Sequence, residues 1–399
     1  MSRHRARIAA LVGMVMLLAA GCWPQVGAGP DRRSYNALER DLTVANVASL
    51  QDRWTVALPG GASAPVVTGE GLVVANDLNV FALDRTTGDS RWTRTIEPTY
   101  PPEFRDLGDP IVRQDTDEVL IGASLYLGGG GHDVRLYGFD AQSGTPTSRA
   151  SVDGLDTLRG TKVSGTVTDL YNAEETHRAA VRDLDTGARW GGFLEDGGTT
   201  TLDTGRLYVA GLNAVRAYDI TTPCGLPPGS YFCRPSWTAS LDGTPRPVVI
   251  GEDRSTLFVA TAAGSVYALD AATGTIRWRA PVGSSISAAP ALAGGRLYVP
   301  TDAGGVVVVS ASGCGSATCT PLWRGTGEGA VTAQPVVGGG VVYVGSTNRV
   351  TAFDAAGCGS AVCAPLRTVQ AALGKVRGMA LSFGSLYVSG EIGVTRFAP

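Results

Sequence analysis

The segment Ala82-LDRTTGDSR-Trp92 returns as Ala268-LDAATGTIR-Trp278, each eleven residues long with Ala first, Gly seventh and Trp last. A unit that recurs in this way commits the chain to an array of like supersecondary pieces, because one copy alone cannot bury its apolar face. Looser copies occupy 182–190, 218–237 and 310–323, and two more, 139–149 and 353–367, end in Arg in place of Trp. The physics of the unit is legible. A strand ends in Asp, whose carboxylate caps a tight turn. Gly supplies the positive φ of that turn, and Trp opens the next strand with a large flat surface to bury.

Upstream of each unit lies a hairpin pattern that begins near Pro: Pro65-VVTGEGLVVA, Pro247-VVIGEDRSTLFVA, Pro290-ALAGGRLYVP and Pro335-VVGGGVVYVG. Apolar alternation on both sides of a Gly-rich turn predicts paired strands. Hairpin and turn unit together supply four short strands over about 40–50 residues, the period of a β-propeller blade. Seven turn units mark seven blades. An eighth begins after Leu373, and the chain reaches Pro399 before its outer strand. Arg53-Trp54-Thr55 copies the opening of Arg91-Trp92-Thr93, so an N-terminal strand is expected to complete the last blade and remove its exposed edge. The expected fold class is all-β: an eight-bladed β-propeller of four-stranded blades, its last blade closed by the N-terminal strand. The 54 glycines and 22 prolines agree with this and exclude a helical bundle. Hydrophobic residues at 44 % exclude a disordered chain. A formal charge of −3 leaves no basic footprint for nucleic acid.

The chain opens with Arg3, Arg5 and Arg7, followed by an uncharged apolar run from Ile8 to Ala20. This is the pattern of an export signal and is too short to span a bilayer. Residues 1–21 are therefore read as a signal peptide, 22–49 as a tether and lead-in segment, and 50–399 as the propeller. In the lead-in, Leu42, Val47 and Leu50 stand near helical spacing behind Thr43, which predicts a short helix. Apart from Cys22, the cysteines form local pairs, Cys224/Cys233, Cys314/Cys319 and Cys358/Cys363. In an exported chain they read as disulfides that staple turns, with a zinc site as the rival reading.

Two family resemblances rest on these residues. Leu18-Ala19-Ala20-Gly21-Cys22 resembles a bacterial lipoprotein processing site, which implies cleavage before Cys22 and a diacylglyceride on its thiol; an ordinary secretory signal is the alternative. The A-x5-G-x3-W unit resembles the tryptophan-docking motif of pyrroloquinoline quinone (PQQ)-like propellers, the superfamily of quinoprotein dehydrogenases and of the assembly lipoprotein BamB. The lead-in from Trp23 to Trp54 is similar to that of exported actinobacterial PQQ-like propellers. Together these imply a lipid-anchored protein on the extracytoplasmic face of the cell membrane, a monomer whose propeller is an interaction platform for an envelope protein or ligand. The alternative is a quinoprotein-type enzyme, or a PQQ or small-molecule binder, using the central channel. The dehydrogenases' adjacent-cysteine disulfide and calcium ligands find no counterpart here, so no cofactor is expected. G-x-S-x-G and H-E-x-x-H are likewise missing from the sequence.

Candidate binding residues come from irregularity in the second repeat. The loop from Arg94 to Asp109 offers Tyr100, Phe104, Arg105 and Asp106, and the loop from Ala123 to Asp133 offers Tyr126 and His132. Aromatics with Arg anchor binding surfaces, and long loops in compact repeats are frequently functional. Asp109, Arg246 and Gln334 each precede a Pro that opens an inner strand, and Arg377 falls one residue from that alignment. They are expected to form a polar ring at the channel mouth that meets a ligand or solvates the pore. His177 reads as an exposed residue of a hairpin turn.

Overall fold

The computed structural model describes residues 22–69, 71–96, 105–127, 131–151, 157–159, 162–171, 174–186, 188–194, 197–222 and 233–399. It is all-β apart from a single 3-10 turn, Val47–Ser49, in place of the short helix expected in the lead-in. Asn46, not Thr43, organises that turn: its Oδ1 accepts from the Thr43 N–H at 2.8 Å. Among the described residues no helix is long and apolar enough to cross a membrane.

The strands form consecutive antiparallel sheets. Sheet one holds Val66–Val67, Leu72–Ala75, Asn79–Leu83 and Ser90–Thr95, paired in chain order. Sheets three, four and five repeat that order with four strands each, beginning at Thr157, Thr199 and Val249. Sheet two runs from Arg105 to Ser151, and sheet six from Ala291 to Gly325. The last sheet has seven strands, because Val341–Asp354 and Arg367–Ser382 each change partner along their length. At its far edge the N-terminal strand Gln51–Ala57 pairs with Gly393–Ala398, placing Trp54 opposite Arg396.

The core lies between successive sheets, and the repeated unit explains how they dock. In the turn before each outer strand, Asp accepts backbone N–H groups: Asp84 from Thr86 (2.7 Å) and Thr87 (2.9 Å), Asp270 from Ala272 (2.9 Å) and Thr273 (3.0 Å). Gly88, Gly144 and Gly274 then adopt φ of 82°, 67° and 73°. Against each lies the Trp of the preceding sheet: Trp92 on Gly144, Trp237 on Gly274. Trp278 on Gly313 and Trp323 on Gly357 repeat the contact. Trp54, on the edge of the last sheet, lies on Gly88 of sheet one. Here Gly serves two needs at once, since a Cβ at Gly274 would come within 2.4 Å of the Trp237 ring. The indole N–H groups of Trp92 and Trp237 donate to Ala141 O (3.0 Å) and Ala271 O (3.2 Å).

Disulfides join Cys314 to Cys319 and Cys358 to Cys363, and Cys233 is disulfide-bonded; Cys224 lies outside the described residues. These turns do more than staple themselves. Cys319 N–H donates to Arg279 O (2.8 Å) and Arg279 N–H to Ala317 O (2.9 Å), so one loop covers the outer edge of sheet five. Val362–Cys363 pairs in parallel with the outer strand of sheet six. Open edges are thereby blunted against intermolecular pairing.

The lead-in from Trp23 to Asn36 crosses the inner edges of the sheets. Trp23 exchanges both main-chain hydrogen bonds with Val67 at 2.9 Å. The carbonyls of Pro24, Asp31, Arg33 and Ser34 then accept from Val112, Ile250, Leu292 and Val337 at 2.7–2.9 Å. Inner-edge N–H groups need acceptors, and this segment supplies them. Positive φ at Ala28, Arg32 and Ser34 lets the chain step from sheet to sheet.

Two outcomes follow. Gly294 has φ of 54° with open space beside it, so Gly294→Ala should cost only backbone strain, about 1 kcal/mol. Gly274→Ala should cost about 1–3 kcal/mol more, because the added methyl overpacks Trp237; urea-melt midpoints would measure the difference. The second concerns acid. Backbone and hydroxyl donors hold the Asp84, Asp140, Asp219 and Asp253 carboxyls below the usual carboxylate range, and Arg277 holds Asp270 at about 2. The folded state therefore binds fewer protons than the unfolded chain. That stability is present above about pH 4 and is lost as pH falls towards about 2. Melting temperature should drop through this window, and less steeply in Asp270→Asn.

Candidate interaction surface

Neighbouring strands in a sheet are antiparallel, so the turn between the second and third strands lies at one end, and the other two turns lie at the opposite end. At the first end, sheets two and three differ from sheets one, four, five and six. Their central strands, Glu118–Leu127 with Gly131–Asp140 and Lys162–Tyr171 with Glu174–Asp183, are ten residues each. The corresponding strands of sheets one, four, five and six have four to six. At about 3.4 Å per residue these two hairpins rise well above their neighbours.

This corrects the reading of 123–133 as a loop. Glu118–Leu127 pairs without interruption with Gly131–Asp140, and His132 stands directly opposite Tyr126. The apolar alternation of Ser124-Leu-Tyr-Leu carries the ladder onward instead of ending it. Arg105–Leu107 is also a strand, with Arg105 opposite Leu125 and Asp106 opposite Ser124. The backbone thus brings Arg105, Asp106, Tyr126 and His132 onto one raised hairpin, while Tyr100 and Phe104 lie outside the described residues. His177 is in a strand, opposite Thr168 and Leu194, not in a turn. The sheet-three hairpin carries no motif or aromatic cluster. The length of its alternating pattern was the available signal, and it was not counted as part of the surface.

Each of the four residues of the expected polar ring bonds main chain of an adjacent sheet. Asp109 Oδ1 accepts from Ala64 N–H at 2.7 Å. Arg246 Nε donates to Ile286 O at 2.7 Å. Gln334 Nε2 donates to Pro290 O at 2.9 Å and to Arg32 O of the lead-in at 2.8 Å. Arg377 Nη1 reaches Gly60 O at 3.4 Å. These positions latch one sheet to the next at the head of the inner strands.

At the opposite end, burial and then Asp117 push the Cys22 thiol upward, and Arg85 opposes them. Nearby, Arg113 is buried and pairs with Asp115 (3.2 Å), with Glu118 (3.7 Å) and, across the sheet boundary, with Asp185 (2.9 Å). No group of three His, Cys, Asp or Glu side chains able to hold a metal occurs among the described residues. A cavity of about 680 Å³ opens at that same end between sheets five and six, beside Trp278, Arg277 and Glu252.

Known structures share this architecture at low identity. Quinohemoprotein alcohol dehydrogenase from Comamonas testosteroni superposes with a TM-score of 0.67 at 15 % identity, over 96 % of this chain and 82 % of that one. A europium-containing methanol dehydrogenase gives 0.63 at 13 %, over 94 % and 91 %. BamB from Moraxella catarrhalis gives 0.58 at 17 %, over 88 % and 98 %. At such identities the likeness establishes the PQQ-like propeller fold and no more. No curated protein matches the chain by sequence. Residues 18–170 and 234–357, well over half of the sequence, match the family described as outer membrane protein assembly factor BamB. The chain belongs to that family.

Proposed function

We propose that this chain is a non-catalytic, lipid-anchored scaffold on the extracytoplasmic face of the membrane, a monomer whose eight four-stranded blades close on the N-terminal strand. The raised hairpins of sheets two and three are the docking surface, and they carry the reading: in a compact repeat array, extra length on two neighbouring units at one end is the departure that regular packing does not require. Arg105 and Tyr126 belong to residue types that anchor protein interfaces, His132 stands opposite Tyr126, and the partner is an envelope protein or ligand. The family's namesake is an assembly factor, which agrees with a scaffolding role.

A second reading, an enzyme or PQQ binder using the channel, takes its support from the dehydrogenases that share the fold. The residues fit that group poorly. The disulfides Cys314–Cys319 and Cys358–Cys363 each span five positions, and no two cysteines of the sequence are adjacent. Main chain from Trp23 to Asn36 covers the inner edges, and Asp109, Arg246, Gln334 and Arg377 are engaged with neighbouring backbone. No step through a quinone is derived.

Reconstitution with PQQ and Ca²⁺ should give neither tight binding nor dye-linked oxidation of alcohols or aldehydes; either result would transfer the protein to the second reading. Crosslinking in intact membranes followed by enrichment should capture a partner, and Tyr126→Ala with His132→Ala should weaken it at least tenfold, about 1.4 kcal/mol. Unchanged affinity in a folded double variant would place the docking surface elsewhere. For the anchor, Cys22→Ser should leave the chain unprocessed or shed it into the medium. Normal cleavage with full membrane retention would refute lipidation.

A further inference from the structure

Where the chain leaves the fold is set tightly. Trp23 is 1 % exposed, and both its N–H and its C=O bond Val67, the last residue of an inner strand. One residue spans at most about 3.6 Å, so Cys22 has no slack between it and the propeller. It emerges at the end of the molecule opposite the raised hairpins.

That end carries a group of outward apolar side chains on a firm base. Leu38 is 59 % exposed, Phe383 40 % and Val44 38 %. They are held together by the buried Glu39, whose carboxylate accepts from Asp41 (2.8 Å), Leu42 (3.0 Å) and, in the turn beside Phe383, Gly384 (3.1 Å). Val44 lies over Gly340 of the next turn. The Arg85 guanidinium, 3.8 Å from the Phe383 ring centroid, adds a cation that also acts on Cys22. At the opposite end the exposed Leu78, Leu212 and Ile392 lie on turns of three different sheets.

We propose that this end is a membrane-seating surface: the propeller, anchored at Cys22 without a spacer, rests with Leu38, Val44 and Phe383 in the interface of the leaflet that holds its acyl chains. The inference rests on lipidation of Cys22. It goes beyond it by fixing orientation, since a lipoprotein on a flexible tether would present every face equally. Partly exposed Leu, Val and Phe gain by entering the headgroup–acyl boundary, and the anchor makes that contact intramolecular. The raised hairpins then point away from the membrane, where a partner reaches them.

The test supplies the anchor chemically, which separates seating from lipidation in the cell. The chain from Cys22 onward is coupled through its thiol to a maleimide lipid in vesicles of phosphatidylethanolamine and phosphatidylglycerol, and hydrogen exchange is compared with uncoupled protein. Amides at 38–44 and 382–385 should exchange about tenfold more slowly when coupled, while turns at 76–79, 211–214 and 391–393 stay unchanged. A Gly-Ser spacer between Cys22 and Trp23, or Leu38→Glu with Phe383→Glu, should abolish the protection with the protein still vesicle-bound. Equal exchange at both ends of the coupled protein overturns the proposal. So does the same protection in concentrated protein without vesicles, which would mark the patch as a contact between copies of the chain. Absence of diacylglyceride on the Cys22 peptide from cells would refute lipidation alone and leave the vesicle result standing.

Discussion

The contact between a tryptophan ring and the glycine of the next sheet's turn is the constraint on which the rest of this molecule depends. A flat ring needs a flat partner, and only a residue without a Cβ allows the approach seen at Gly88, Gly144, Gly274, Gly313 and Gly357. At all five, the same residue also has the positive φ that the turn geometry demands. Asp holds the turn from its other side with its own carboxylate. One short motif therefore sets the strand end, the turn and the docking of the neighbouring sheet. Trp54, on the strand that pairs with Gly393–Ala398, makes the same contact on Gly88 of sheet one.

Regular docking leaves inner and outer edges to be satisfied, and different pieces of chain do so. On the outside, the disulfide turns lie along the outer strands of sheets five and six. Inside, the lead-in offers its carbonyls to one sheet after another. At the head of the inner strands, Asp109, Arg246, Gln334 and Arg377 cross to adjacent sheets. With this framework held at both edges, sheets two and three can carry longer hairpins without disturbing their neighbours. The raised hairpins are thus an elaboration at one end of a framework whose other end holds Trp23 against Val67.

Much of this was legible residue by residue, and the reason is physical. Trp, Gly and Asp are needed for their side chains or for the lack of one, so their spacing survives as a pattern. The same holds for the pairs Cys314/Cys319 and Cys358/Cys363, whose separation of five allows a closed turn. In the sequence the Gly run of sheet two reads as part of a loop, whereas in the structure the ladder continues through Tyr126 and His132. Alignment on Pro picks out Asp109, Arg246, Gln334 and Arg377 but not the main-chain groups they bond, since the same Asp, Arg and Gln would serve a ligand as well as neighbouring main chain.

The sequence by itself determined the repeating unit, its strand content, the turn chemistry and the match between the Trp54 segment and the other outer strands. Only the tertiary structure decided the course of the lead-in, the latching of ring residues across sheet boundaries and the relative height of the hairpins. The carbonyls of Pro24, Asp31, Arg33 and Ser34 that bind the inner strands are groups every residue possesses, so no choice of side chain records them. Which end of the molecule Cys22 occupies depends in the same way on a main-chain bridge between Trp23 and Val67, a pairing between segments that no local pattern connects.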